Sequence, residues 1–468
     1  MGHQDLPGFY YDPEKGRYFA LKGPIPGTRA TTKSNGVTLP IPETKVTKPT
    51  GSLNKLLSAR ELNTNPFAHR ELLRYIFCDP AIWMYNTGPL SPDVGLEMSS
   101  LSCQTESGVC KLPFLLSANS RGLLSLLQVG DDGYQTHIKH VPDCIHLSKR
   151  DAERIPSPIS LIRHEPLCLL QGLSSLVLSN SRGNEAAHLN YALLSTLGSA
   201  SRGGTLSLLN LSDPFDYSSS NPRIKRVTSI VGTCWTCACS RDATRAVIGA
   251  NHGAVLVDLE TGDKSWVLRC DSDVFAQQFD SSGNVMLCGL RNGAILTVDS
   301  REKFRKYVAE PSKRRVRLAS SSQKDRPLRR QSFELKGKIQ PCATNFMPSS
   351  VCGLKTFLSD DSYFVASSMD GSISLFDHRK TAAVQTYDGN VNSHSFIRVG
   401  LDPSEKLVVS GGEDKRVRMW SVNSGELVVE RAIPEIPVTL SWETWRGSDS
   451  GSPTWIGSRD GIFRMQWR

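Results

Sequence analysis

Five segments in the second half of the chain are variants of one another, and this self-similarity constrains the fold more than any other feature. RAVIGANHGAVLVDLETG (245–262) aligns with NVMLCGLRNGAILTVDSRE (284–302), SYFVASSMDGSISLFDHRK (362–380), KLVVSGGEDKRVRMWSVNSG (406–425) and SPTWIGSRDGIFRMQWR (452–468). Each has an alternating apolar run, a turn with Gly or Asp, and a second run ending at an acid or an aromatic residue. Two weaker copies lie upstream, FLLSANSRGLLSLLQV (114–129) and LLSTLGSASRGGTLSLLNL (193–211). Alternation with a period of two is the mark of strands.

The turn markers are Gly122, Gly204, Gly253, Gly293, Gly371, Lys415 and Gly461, at spacings of 82, 49, 40, 78, 44 and 46 residues. Four of these spacings lie near the roughly 40–45 residues of a four-stranded propeller blade. A sheet with one apolar face cannot bury it alone, so blades stack around an axis and bury one another. The expected fold class is all-β, a seven-bladed β-propeller over residues 79–468. The spacing of 78 contains a basic insertion at 303–340, and the spacing of 82 predicts a long loop within 141–190, with an eighth blade there as the alternative. The last copy ends at Arg468, directly after its third strand. A segment near AIWMYN (81–86) is therefore expected to supply the missing fourth strand and close the ring.

Ahead of the propeller the composition changes. Seven of the 26 prolines fall in the first 50 residues, and residues 1–51 are expected to be a mostly disordered tail. Its exception is LPGFYYDPEKGRYF (6–19), with five aromatics in fourteen positions, a segment suited to ordering on a surface. Residues 52–78 read as a helix–loop–helix. Leu53, Leu56, Leu57 and Leu62 form one stripe behind Ser52 as N-cap, and Leu72, Leu73 and Ile76 form another behind Asn65 and Pro66.

The formal net charge of +9 is local. Residues 301–340 hold 14 Lys or Arg against 4 Asp or Glu, whereas the other 428 residues carry 41 basic and 42 acidic side chains. The body is near neutral, which argues against a generally nucleic-acid-binding surface. The basic segment reads first as a solvated loop, then as a nuclear-import signal or a nucleic-acid contact, and Ser332, after Arg329 and Arg330, is a candidate phosphosite. No run of 18 apolar residues suggests a membrane helix. The start lacks a secretory core, so the 12 Cys read as reduced thiols in the nucleus or cytoplasm.

The repeat markers resemble the WD-repeat family, in which a DG-type turn precedes a strand ending in Trp-Asp or a degenerate form. Met419–Trp420 and Gln466–Trp467 keep the Trp, and the resemblance implies that His394, Asp414 and Trp420 belong to the hydrogen-bonded set the family places within one blade. VDSR (298–301) and FDHR (376–379) are more specific. They resemble the paired Trp-Asp-x-Arg boxes of substrate receptors for cullin-4 ubiquitin ligases, which dock on damaged-DNA-binding protein 1; Val298 and Phe376 replace the Trp. By that resemblance Asp299, Arg301, Asp377 and Arg379 face the adaptor, and the helical pair with Leu53, Leu56 and Leu57 fills an adaptor groove. The tail motif LPGFYYDPEKGRYFAL is similar to the opening of one branch of these receptors. The implied function is a noncatalytic substrate receptor with protein partners: the adaptor and its cullin-4 ligase, and a target protein.

No Walker loop, HExxH or GxSxG elbow is present, so neither catalysis nor a cofactor is expected. Cys234, Cys237 and Cys239 form CxxCxC, but the segment aligns with the first strand of its blade and no second pair follows, so it reads as core and not as a metal site. Neither nucleic acid nor a membrane is expected as a partner on this reading. The alternative is a WD-repeat scaffold of a nuclear RNA or chromatin assembly, with the basic loop as the nucleic-acid contact.

Overall fold

A computed structural model describes residues 9–12, 17–20, 81–85, 92–105, 108–130, 139–140, 144–146, 160–163, 168–180, 190–199, 203–211, 224–309, 333–442 and 453–466. The chain divides into two compact units, Met1–Thr47 and Lys48–Arg468. In the first, the aromatic motif forms an antiparallel hairpin, Phe9–Asp12 against Arg17–Ala20, pairing Tyr10 with Phe19 and Tyr11 with Tyr18. The helix–loop–helix expected at 52–78 lies outside the described residues.

The second unit is all-β among its described residues, with seven antiparallel blades in chain order. The third blade runs Cys234–Cys239, Arg245–Ala250, Gly253–Asp258 and Lys264–Cys270; the fourth Val274–Phe279, Val285–Leu290, Ala294–Asp299 and Ile339–Phe346. The fifth is Val351–Thr356, Tyr363–Ser368, Ile373–Asp377 and Ala383–Tyr387, and the sixth runs from Gly400–Leu401 to Leu427–Ala432. Each expected turn marker lies at or just before the third strand of a blade. Gly122, Gly253, Gly293 and Gly371 have positive φ, and so does Lys415, where a side chain tolerates what glycine does elsewhere. Buried apolar clusters fill the seams: Ala276, Leu287 and Ile295 of the fourth blade pack with Val351, Phe364 and Phe376 of the fifth.

Closure follows the expectation. Ala81–Tyr85 pairs with Ile462–Gln466, Ala81 opposite Gln466 and Tyr85 opposite Ile462, and completes the seventh blade. Its residues alternate between two cores. Ile82 packs with Ile456, Phe463 and Met465, whereas Trp83 and Tyr85 pack with Leu96, Met98 and Trp455.

Two readings are corrected. The region 141–190 is not one long loop. It contains Cys144–His146, which pairs with the closing strand, and Ser160–Arg163, which is the outer neighbour of Leu123–Gly130 in the first blade. It also holds the start of the second blade, Leu173–Asn180. The basic segment at 303–340 is likewise not simply a loop. Arg305–Ala309 and Phe333–Gly337 form a hairpin that extends the outer edge of the third blade through Lys264–Cys270, and Ile339 begins the fourth blade's outer strand. Outer strands need only one buried face, so Ala309 and Leu335 pack inward while Arg305 and Lys306 stay exposed.

Candidate functional site

The two Asp-x-Arg boxes adopt the same geometry in adjacent blades. Asp299 and Asp377 end the third strands, and each side chain accepts the backbone N–H two residues on, at 2.9 Å from both Arg301 and Arg379. Short acidic side chains close turns in this way. Each arginine then folds back as a fork. Arg301 donates Nε to Asp299 Oδ1 at 3.0 Å and Nη2 to Oδ2 at 2.8 Å, and Arg379 gives 2.9 and 3.1 Å to Asp377. The carboxylates are hidden, at 6% and 1% side-chain exposure, whereas the guanidinium side chains are 66% and 69% exposed. Nε and one Nη2 hydrogen hold the acid, and the remaining hydrogens face outward as oriented donors.

Electrostatics reinforce the pairing. Hydrogen bonding from Arg379 holds the Asp377 carboxyl down to about 2, and Arg301 lowers Asp299 in the same way. Both arginines are raised by their aspartates. Gln340 Nε2, at 3.5 Å from Asp299, and Lys380 Nζ, at 3.8 Å from Asp377, add weaker contacts.

The two forks share one face, because each lies beside the turn linking the first two strands of its blade: Ser300 N donates to Asn284 O, and His378 N to Ser362 O. The seam between these blades is tied at that face. Ser281 bonds Asp361 through its backbone N at 3.2 Å and through its hydroxyl, and Asn345 Nδ2 reaches Lys380 O at 2.9 Å. The His378 ring lies 4.8 Å from that of Phe364. Burial lowers its pKa, against the pull of Asp280, Asp377 and Asp361. The third blade has Asp258 at the same register, accepting the N–H of Glu260 at 3.0 Å and of Thr261 at 2.9 Å, but Glu260 stands where the other two blades carry arginine.

Leu53, Leu56, Leu57 and Ser332 lie outside the described residues. The set expected from His394, Asp414 and Trp420 does not form as such. Trp420 is fully buried and donates Nε1 to Asp388 O at 2.9 Å, while Asp414 is engaged by Arg418. His394 is exposed, its Nδ1 at 2.8 Å from Ser393 Oγ. Glu413 captures this loop instead, accepting the backbone N–H groups of Ser393, His394 and Ser395. Cys234 and Cys237 are buried in a cluster with Leu193, Leu206 and Ile248, and burial pushes the Cys234 and Cys239 thiols up to about 12. The sequence reading missed Gln340 and Lys380; Lys380 adjoins its box, but Gln340 reaches Asp299 only because the outer strand resumes after the insertion.

A family model described as "WD domain, G-beta repeat" matches residues 341–377 and 382–421. Each match begins on the outer strand of one blade, or just ahead of it, and ends on the third strand of the next. Among curated proteins the chain is 26% identical over 282 residues to DDB1- and CUL4-associated factor 4 of Homo sapiens, covering 57% of this chain and 49% of that protein. It is 25% identical over 252 residues to the Bos taurus protein of the same name, covering 53% and 44%. DDB1- and CUL4-associated factor 4-like protein 2 of Homo sapiens is 26% identical over 209 residues, covering 43% and 45%. The chain thus spans about half the length of the curated relatives it matches. Among solved structures, the WD40 β-propeller domain of Doa1 superposes with a TM-score of 0.50 at 15% identity, covering 82% of this chain and 96% of that one, a likeness of fold.

Proposed function

We propose that this chain, a WD-repeat β-propeller protein similar to the DDB1- and CUL4-associated factors, is a noncatalytic substrate receptor of a cullin-4 E3 ubiquitin ligase. In this reading Arg301 and Arg379, held by Asp299 and Asp377, dock on damaged-DNA-binding protein 1, helped by Leu53, Leu56 and Leu57. The propeller then presents a target protein for ubiquitination. The observation that carries the proposal is the repetition of one device in neighbouring blades, a hidden carboxylate aiming an exposed guanidinium. A fold needs only the aspartate to close its turn; an aimed and exposed arginine serves a partner that offers carbonyl or carboxylate acceptors.

The test is association of the full chain with purified damaged-DNA-binding protein 1, measured by co-purification and by titration. The Arg301→Ala, Arg379→Ala double variant is expected to weaken the complex at least about tenfold, the scale of one lost charge-assisted contact. Wild-type affinity in the double variant refutes the arginine assignment, and no association with the intact chain refutes the receptor reading.

A further inference from the structure

The first strands of the seven blades surround the axis, and at one register six of them carry small residues: Gly95, Ser175, Thr236, Ala276, Gly353 and Thr439. The sixth blade has Arg398 there, two residues before Gly400 pairs with Val409. The side chain crosses the axis to the second blade, with Nη2 at 3.5 Å from Ser175 Oγ. Among the described residues this is the guanidinium's sole hydrogen bond, and it forms no ion pair. An arginine carries five donors.

Aromatic rings stand at the start of the same strands or just ahead of it. Phe275 of the fourth blade meets Phe396 of the sixth at 6.3 Å, edge to face, skipping the blade between, and Trp235 of the third meets Phe275 at 5.2 Å. The Arg398 guanidinium lies 5.9 Å from the Phe396 ring. All three aromatics are partly exposed. The nearby acid Asp273 is already engaged, by Trp235 Nε1 at 3.3 Å and Arg291 at 3.0 Å. Glu97 lies one step further along the axis, where burial raises its pKa; Lys355 is its first cationic influence and Arg398 its second. Glu97 is in turn the first anionic influence on Arg398, but among the described residues the two form no ion pair, and the one acid is shared between two cations. This mouth lies at the opposite ends of the first strands from the turns beside the forks.

We propose that this mouth binds a peptide segment that lowers one Asp or Glu side chain onto Arg398 while an adjacent apolar side chain rests on Trp235, Phe275 and Phe396. A carboxylate fits the unused guanidinium fork, and a half-buried cation gains from a partner that brings charge and acceptors together. A side chain suits the collar better than a chain end does. Inserted backbone would have to satisfy its N–H and C=O groups against Gly, Ala and a few hydroxyls, and unmet backbone groups are costly. The inference does not depend on the receptor reading, because it concerns the other face and its test contains no adaptor.

The test uses the full chain and two libraries of nine-residue peptides, acetylated and amidated, random except for a fixed central Phe-Glu or Phe-Gln. Selection is expected to enrich the Phe-Glu library. Enriched peptides should then bind Arg398→Met at least about tenfold more weakly, and Arg398→Lys at an intermediate level, since lysine keeps the charge but not the fork. Phe396→Ala should weaken the same peptides without removing the preference for Glu. Equal enrichment of the two libraries, failure of both, binding that requires a free C-terminal carboxylate, or unchanged affinity in Arg398→Met would each overturn the proposal. The comparison of Glu with Gln is made on unmodified protein and stands whether or not the variants fold.

Discussion

Ring closure by the strand Ala81–Tyr85 carries the most demanding mechanical prediction. A propeller whose last blade lacks a strand leaves its ends unpinned. Here the five residues pair along their whole length with Ile462–Gln466 on one side, while Cys144–His146 pairs on the other. Ile82, Trp83 and Tyr85 are 5%, 8% and 1% exposed, and they enter two different cores. Truncating Ile82 to Ala removes buried methyl groups from a packed cluster and is expected to cost about 2–5 kcal/mol. Losing all three side chains approaches the roughly 5–15 kcal/mol that holds a domain folded. Ile82→Ala should therefore lower the urea midpoint of the full chain with one cooperative transition retained, whereas replacing Ile82, Trp83 and Tyr85 together by Ser should abolish cooperative unfolding in calorimetry. The pairing itself is tested by coupling. Ile82 stands opposite Met465, so Ile82→Ala and Met465→Ala should be non-additive by about 0.5–3 kcal/mol. Ile82→Ala with Leu287→Ala in the fourth blade should add to within about 0.5 kcal/mol. A triple variant that melts like the wild type, or an additive Ile82–Met465 pair, would refute closure by this strand.

Two further outcomes follow from the electrostatics. Asp377 has a folded pKa of about 2, below its ordinary value; a depressed carboxyl stabilises the fold above its unfolded pKa of about 3.9 and loses that contribution as pH falls towards 2. Asp377→Asn should accordingly flatten the acid limb of the urea midpoint between about pH 4 and pH 2, and an unchanged limb would contradict the pairing. Burial raises Cys234, Cys239 and Cys288 to about 12, so iodoacetamide at pH 8 should leave these thiols unlabelled in the folded chain and label them in urea, read by peptide mass spectrometry; rapid labelling of the native protein would contradict a closed core.

What the sequence disclosed and what it concealed divide along a physical line. Blade number was legible because it rests on local signals, the alternation of buried side chains and a turn residue with positive φ at Gly122, Gly253, Gly293, Gly371 and Lys415. The closing strand was legible because a repeat cut short implies its complement. The hairpin at 305–337 was concealed by its charge: on an outer edge only Ala309 and Leu335 must be apolar, and the pattern of FELKG is too short to stand out against 14 basic residues. The loop around His394 was misread because its backbone is held by Glu413, an acid that no repeat alignment marks. Arg398 was invisible for a different reason. Its significance lies in the small residues at the matching register of the other six blades, and that register is fixed by the bulges at 234/236, 274/276 and 351/353.

The candidate docking face shows why a four-residue motif overstates how many of its positions carry information. Asp258, Asp299 and Asp377 occupy one register in three successive blades, and each accepts a backbone N–H two residues ahead. In these three blades the aspartate closes the turn whether or not anything binds, and in the sixth blade Ser421 holds that register. The residue two positions on is free to vary, and it does: Glu260, Arg301, Arg379 and, in the sixth blade, Asn423. All four are exposed. The rim thus runs from acidic through two basic blades to neutral, a charged arc two blades wide with an opposing charge at one end. A partner with acceptors spaced for two neighbouring forks finds one favourable register, and a shift by one blade sets it against either Glu260 or the uncharged Asn423. A shift towards Asn423 loses a fork contact, and a shift towards Glu260 also sets an acid against the partner's acceptors. In the proposed docking the arginines supply affinity and the residues flanking them supply register, although neither Glu260 nor Asn423 belongs to any recognisable motif.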